Sequence, residues 1–134
     1  MDVISVGEML IDFTPGKEAN SYVRNPGGAP ANVLAMNARL GGKTAFIGKV
    51  GKDGFGDFLR QTLVESGIDV SGLVIDEKIP TTLAFVQLDS KGDRSFTFYR
   101  NPGADVMLTS AEVNRNLIDD AAIFHFGSVS LTAD

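Results

Sequence analysis

The stretch Gly27–Gly67, GGAPANVLAMNARLGGKTAFIGKVGKDGFGDFLRQTLVESG, carries the pattern that decides the fold. Pro30 suits the first turn of a helix, alanine and leucine suit its body through Leu40, and Gly41-Gly42 suits its C-terminal cap. Thr44-Ala45-Phe46-Ile47-Gly48 is a short, unalternating apolar run, which reads as a strand covered on both faces. Asp53 can then cap a second helix with Phe55, Phe58, Leu59 and Leu63 on one face, closed by Gly67. Upstream, Val3-Ile4-Ser5-Val6-Gly7 is another β-branched run ending in glycine. Strand, helix, strand, helix in this rhythm predicts an α/β body with parallel pairing and right-handed crossovers.

Outward from that core the chain changes character. Met9 to Phe13 places an acid, Asp12, among apolar residues just beyond the first strand. Thr81–Leu88 and Ser95–Arg100 are β-rich and flank Asp89–Arg94, whose glycine and acids suit a hairpin loop. On the second of these strands Phe96, Phe98 and Arg100 share a face, because side chains alternate. Thr109-Ser110-Ala111-Glu112 matches a capping box opening a short helix, and Ala122–Gly127 reads as a further buried strand. No internal repeat or long linker is present.

Composition excludes several classes. The 134 residues are 43% hydrophobic and 22% charged, a soluble globular balance that can enclose one core. With no cysteine, disulfide frameworks and thiolate metal sites are out, and a reducing cytoplasm is the expected location. The start of the chain has an acid and no basic region, so no export signal is expected. No apolar run approaches the ~20 residues of a membrane span. A net charge of −5 without any Lys/Arg cluster argues against nucleic acid.

Four segments in order, GGAPANV (27–33), AFIGKVGKDGFG (45–56), FYRNPGAD (98–105) and IFHFGSVSL (123–131), resemble the ribokinase/PfkB family of carbohydrate kinases, and within it fructokinases. Gly48-x-x-Gly51-x-Asp53-x-x-Gly56 is similar to that family's N-terminal signature. The resemblance implies a ribokinase-like three-layer α/β/α fold with a mostly parallel sheet and a small β lid from about residues 13–25 and 80–101. It also implies that the chain is only the N-terminal part of one kinase domain. The family's GAGD-like anion hole and base and its Asn-x-x-Glu element have no match here, so no catalytic residue is expected in this chain.

Residue by residue, the resemblance makes Asp12 an acceptor for two sugar hydroxyls, against the blander reading of a solvated or loop-capping aspartate. Charge-assisted bonds of that kind are worth about 1.5–3 kcal/mol each. Gly27 and Gly28 would let sugar approach the backbone, or simply join a strand to a helix. Asn32, in the first helical turn, would donate to and accept from a hydroxyl, or cap the helix locally. Arg100 and Phe98 would cover the sugar from the lid, with Asn101 beside them. Their plain alternative is an edge-strand arginine and a small-core phenylalanine. Gly48–Gly56 fits neither dinucleotide nor Walker spacing and reads as turn and packing glycines. His125 reads as a satisfied core imidazole, not a metal ligand or base.

The implied parent reaction is ATP-dependent phosphorylation of D-fructose at O6, with ATP and Mg2+ held by residues outside this chain. The expected partners are a small sugar and a second copy paired through the lid, with no membrane. Two rivals stand beside it: a 2-keto-3-deoxygluconate kinase, whose acidic substrate would give Arg100 a carboxylate, or another sugar kinase of the PfkB family; and a noncatalytic sugar-binding or dimerising module.

Overall fold

The computed structural model describes residues 1–132. Its body is a four-stranded sheet in the order β5-β4-β1-β8, built from β1 (Val3–Gly7), β4 (Thr44–Gly51), β5 (Asp69–Asp76) and β8 (Ile123–Gly127). Every pairing in it is parallel. Helices α1 (Ala29–Arg39) and α2 (Gly54–Glu65) cover one face, where Leu34, Phe46, Leu59 and Leu63 are sealed from solvent with Val3 and Val50. Ile4, Ala45 and Ile47 point to the other face and meet Leu117 and Ile118 of the short α3 (Arg115–Asp119). The alternation along β1 and β4 thus feeds two cores, as a strand covered on both sides requires.

β4 runs three residues beyond the expected Gly48. Its Gly51 then packs against the segment entering the second sheet, where a Cβ would sit 2.5 Å from the Thr81 amide nitrogen. At Gly56 a Cβ would land on the Gly51 carbonyl, so the signature glycines close the β4–α2 corner. Asp53 caps α2 as expected, its Oδ1 taking the Gly56 amide at 2.7 Å. It also does something the local sequence does not show: it accepts from the Thr81 amide at 2.9 Å and the Thr81 hydroxyl at 2.8 Å. One carboxylate therefore fastens the start of α2 to a segment 28 residues on.

A second sheet, in the order β3-β2-β6-β7, projects from the body. It consists of β2 (Leu10–Pro15), β3 (Tyr22–Gly27), β6 (Leu83–Leu88) and β7 (Arg94–Tyr99). The hairpins β2–β3 and β6–β7 are antiparallel and meet through parallel β2–β6 pairing. One face of this sheet turns Phe13 toward α2, edge-on to Phe55 at 5.7 Å and stacked on Phe85 at 4.7 Å. Asp12 lies beyond the end of β1 as expected, and it is itself inside β2.

Three other expectations change. The Thr109–Glu112 capping box forms, but it opens a single 3-10 turn, and Glu112 also receives Lys49 Nζ at 2.8 Å. Asp69–Asp76 is an edge strand that its broken alternation concealed. The strand at Ile123–Gly127 is present but not buried: Ile123, Phe124 and Phe126 are exposed, because β8 is the outermost strand among the described residues. No described helix is long and apolar enough to cross a membrane.

Candidate functional site

From β1 the chain passes to β4 and β5 on one side, then returns to place β8 on the other. Ligands of open parallel sheets bind at such a reversal, outside the carboxyl ends of the strands. Here β1 ends at Gly7 and β8 at Gly127, which are paired, and the second sheet and the start of α1 both spring from this edge. Buried Glu8 ties the edge together: its carboxylate takes the Ser128 amide at 2.9 Å, the Ser130 amide at 3.3 Å and the Ser130 hydroxyl at 3.2 Å. Desolvation pushes Glu8 upward, but its own amide and those of Ser130, Val129 and Ser128 together outweigh it and leave the carboxyl below its ordinary 4.5.

Asp12 lies four residues further on and is treated oppositely. It is half-buried, and among the described residues no amide or side chain donates to its carboxylate; Asn25 Nδ2 reaches only the Asp12 carbonyl, at 3.2 Å. Desolvation alone acts on it and raises its pKa above 3.8. Gly27 supplies the space it occupies, since a Cβ there would fall on Asp12 Oδ2. Gly28, with φ of +117°, caps α1 in a conformation costly for other residues, and a Cβ would lie 2.5 Å from the Glu8 carbonyl oxygen. Both glycines thus draw the chain tightly around the base of β2.

Asp12 is level with Ala84 on β6, and Ala84 with Phe98 on β7, so Asp12 and Phe98 share a face with a methyl group between them. Phe98 is exposed and stacks on Phe96 at 5.9 Å. A hollow of about 370 Å3 opens on this face, lined among others by Asp12, Thr14, Val86 and Phe96. A larger one of about 500 Å3 at the hairpin tip has Asp89 as its only charged group, and that carboxylate is occupied in closing the turn with the Lys91 and Asp93 amides.

Arg100 follows β7 on the Asp12 side, and it is not free. Its Nε lies 3.1 Å and its Nη2 2.8 Å from Asp105 Oδ2, with the arginine side chain 13% exposed and the aspartate fully buried. The Thr82 hydroxyl donates to Asp105 from the opposite side. Asp105 and Thr82 escaped the sequence reading: the only local signal was an acid five residues after Arg100 in a quoted segment.

The remaining residues fall elsewhere. Asn32 is exposed on α1 and lines a separate hollow of about 210 Å3 with Pro26, Gly27 and Arg39, so it meets Asp12 only through Gly27, which borders both. Asn101 is exposed. His125 is part-buried, with Nδ1 2.6 Å from the Ser5 hydroxyl. Among the described residues no group of three or more His, Cys, Asp or Glu assembles in a way that would hold a metal.

The chain has well-matched relatives in both sequence and fold. The sequence profile of the pfkB family carbohydrate kinases matches residues 1–134. Fructokinase-1 of Oryza sativa subsp. japonica is 53% identical over 98% of this chain and 43% of its own length. The crystal structure of a fructokinase with bound ATP from Xylella fastidiosa superposes with a TM-score of 0.91 at 42% identity, over 98% of this chain and 40% of that one. A provisionally named Ribokinase II of E. coli, in complex with ATP and Mg2+, gives 0.86 at 32% identity, over 98% and 44%. The chain therefore spans less than half the length of the relatives it matches.

Proposed function

Because the chain belongs to the pfkB family of carbohydrate kinases, we propose that it is the sugar-reading part of a fructokinase, an enzyme that transfers phosphate from ATP to O6 of D-fructose. The observation that carries this reading is Asp12: a half-buried carboxylate without a protein donor, on an open sheet face, beside a glycine that leaves it room. A carboxylate that burial partly desolvates and to which no described residue donates gains from a ligand that brings hydroxyls to it. Phe96 lines the hollow and Phe98 extends that apolar surface by stacking on it, Gly27 and Gly28 set the backbone close to the ligand, and Asn32 borders Gly27 from the helix. The second sheet then acts as the lid that excludes water from the sugar.

ATP and Mg2+ belong to this reading through the relatives that bind them. The described residues do not fit either group, having no metal-ligating cluster and no phosphate loop spacing, so the chain's own contribution is sugar binding and orientation. The isolated chain is expected to be inactive. A cysteine-free chain suits the cytoplasm, and exposed Val23, Leu88, Phe96 and Phe98 on one sheet face support pairing with a second copy through the lid.

The test is Asp12→Ala in a protein that carries the whole kinase domain. Two charge-assisted bonds at about 1.5–3 kcal/mol each imply a loss of fructose affinity of at least about 100-fold, read by calorimetry, with thermal unfolding unchanged. Near-normal fructose binding by that variant would remove Asp12 from the site. Phosphate transfer by the isolated chain would overturn the assignment of catalysis to residues outside it.

A further inference from the structure

The Arg100–Asp105 pair decides which sugars the cleft accepts, an inference that rests on the sugar-kinase reading above. A guanidinium at the edge of a sugar site invites an acidic substrate, since its fork matches a carboxylate. In this structure that match is already made internally. Arg100 turns Nε and Nη2 to the buried Asp105 carboxylate, and Thr82 holds Asp105 from behind. Among the described residues Nη1 is without a partner and Nη2 uses one of its two hydrogens, so three N–H donors remain for a ligand.

We infer that Asp105 makes Arg100 a charge-compensated donor and thereby selects neutral polyhydroxylated sugars over sugar acids. The geometry supports this through the order of distances. Ala84 is level with Asp12 on one side and with Phe98 on the other, so β6 puts only a methyl group between Asp12 and β7, which Arg100 follows. The two charged residues stand two strands apart and two residues out of register, about 12 Å between their Cα atoms, a span that a hexose bridges with the side chains that reach toward it. A ligand carboxylate reaching Nη1 would meet attraction from one guanidinium and repulsion from Asp105 at about twice the distance. Because Coulomb energy falls as the inverse of distance, that repulsion alone cancels about half of the attraction. Asp12, at the other end of the ligand, opposes the remainder. A hydroxyl pays none of this penalty and still accepts from Nη1. The other cation on this face, Arg94, borders the hollow beside Asp12 but stands six residues from Arg100 along β7, about 20 Å, so it does not act at close range on a ligand group held at Nη1.

Selection of this type works by repelling the wrong ligand as much as by holding the right one. It makes Asp105 a positioning and specificity residue, acting through Arg100 and not by touching the sugar.

The experiment uses the full-length kinase and its Asp105→Asn variant, in which the amide oxygen still accepts from Arg100 while the charge is gone. The ratio of kcat/KM for 2-keto-3-deoxygluconate to that for fructose is expected to rise about tenfold or more in the variant. An unchanged ratio in a folded variant overturns the inference. Should the variant not fold, the unmodified enzyme decides the matter by competition: glucitol is expected to inhibit fructose turnover well below the concentration at which gluconate does, and equal inhibition by the two overturns it. Loss of fructose binding in Asp12→Ala reports on the site itself, so a failure of that reading is distinguishable from a failure of this one.

Discussion

Asp12 and Asp53 are the same side chain, both part-buried, in two regions that treat them in opposite ways. Asp53, at the corner of the body, accepts from the Gly56 amide, the Thr81 amide and the Thr81 hydroxyl. Desolvation is the largest influence on it, yet the donors together overcome it and the pKa falls below 3.8. On the open face of the second sheet Asp12 has the desolvation without the donors, and its pKa rises from the same 3.8. At this corner the body satisfies its carboxylate internally, whereas the second sheet leaves its own without a donor among the described residues. That difference separates a residue the fold needs from one that the fold holds ready for a ligand.

The sharpest way to break the comparison is to remove Asp53. Asp53→Ala is expected to lower unfolding stability by about 3 kcal/mol, from a lost helix cap and two lost charge-assisted bonds. Chemical denaturation measures it. A loss below about 1 kcal/mol would mean that the α2 corner does not depend on this carboxylate. Asp12→Ala should show the reverse profile, with affinity lost and stability kept.

Next in size is Gly27→Ala. Its backbone is not in the left-handed region, so alanine brings little strain there, but the new methyl falls on Asp12 Oδ2 and turns the carboxylate away. Fructose affinity is expected to fall about tenfold while the melting temperature moves little. A variant that binds as before would show that the present orientation of Asp12 is not the binding one.

How much of this was legible in the sequence depends on the range of each contact. The Asp53 cap was readable because its partner Gly56 is three residues away, but the Thr81 bonds were not, since nothing local links positions 53 and 81. Asp12 stood out because an acid in an apolar run asks for a reason. The Arg100–Asp105 pair was invisible as a pair: it joins the residue after a strand to a 3-10 turn and is fixed by Thr82 from the segment that enters β6. β5 was missed because Asp69, Ser71, Gly72 and Asp76 break its pattern, and only pairing with the fully buried β4 makes it a strand. The exposed β8 shows the converse, a run whose letters read as buried while its place at the sheet edge leaves it open.

Acid titration sharpens the contrast through the sign of the two shifts. Asp12, with its pKa raised above 3.8, protonates first as pH falls, and the neutral group no longer attracts hydroxyl donors as strongly. Asp53, with its pKa lowered, contributes stability that is present above 3.8 and lost only as pH falls through its folded value. Fructose affinity is therefore expected to decline at a higher pH than the unfolding transition attributable to Asp53. Calorimetry and circular dichroism between about pH 3 and 6 would record the two midpoints. Coincident midpoints would mean that Asp12 has donors which compensate its burial.

The smallest expected effect is also the one with the opposite sign. Asp12→Asn keeps the shape of the side chain and removes a charge that burial disfavours and no protein donor supports. Stability should stay level or rise by a few tenths of a kcal/mol, while the equivalent change at Asp53 lowers it. Function and stability then pull apart at one position and together at neither, as expected where a site is kept in a state that only its ligand completes. A clear loss of stability in Asp12→Asn, read from the same denaturation curves, would place Asp12 with Asp53 among the residues that hold the fold together. The open face of the second sheet would then have no acceptor reserved for a sugar.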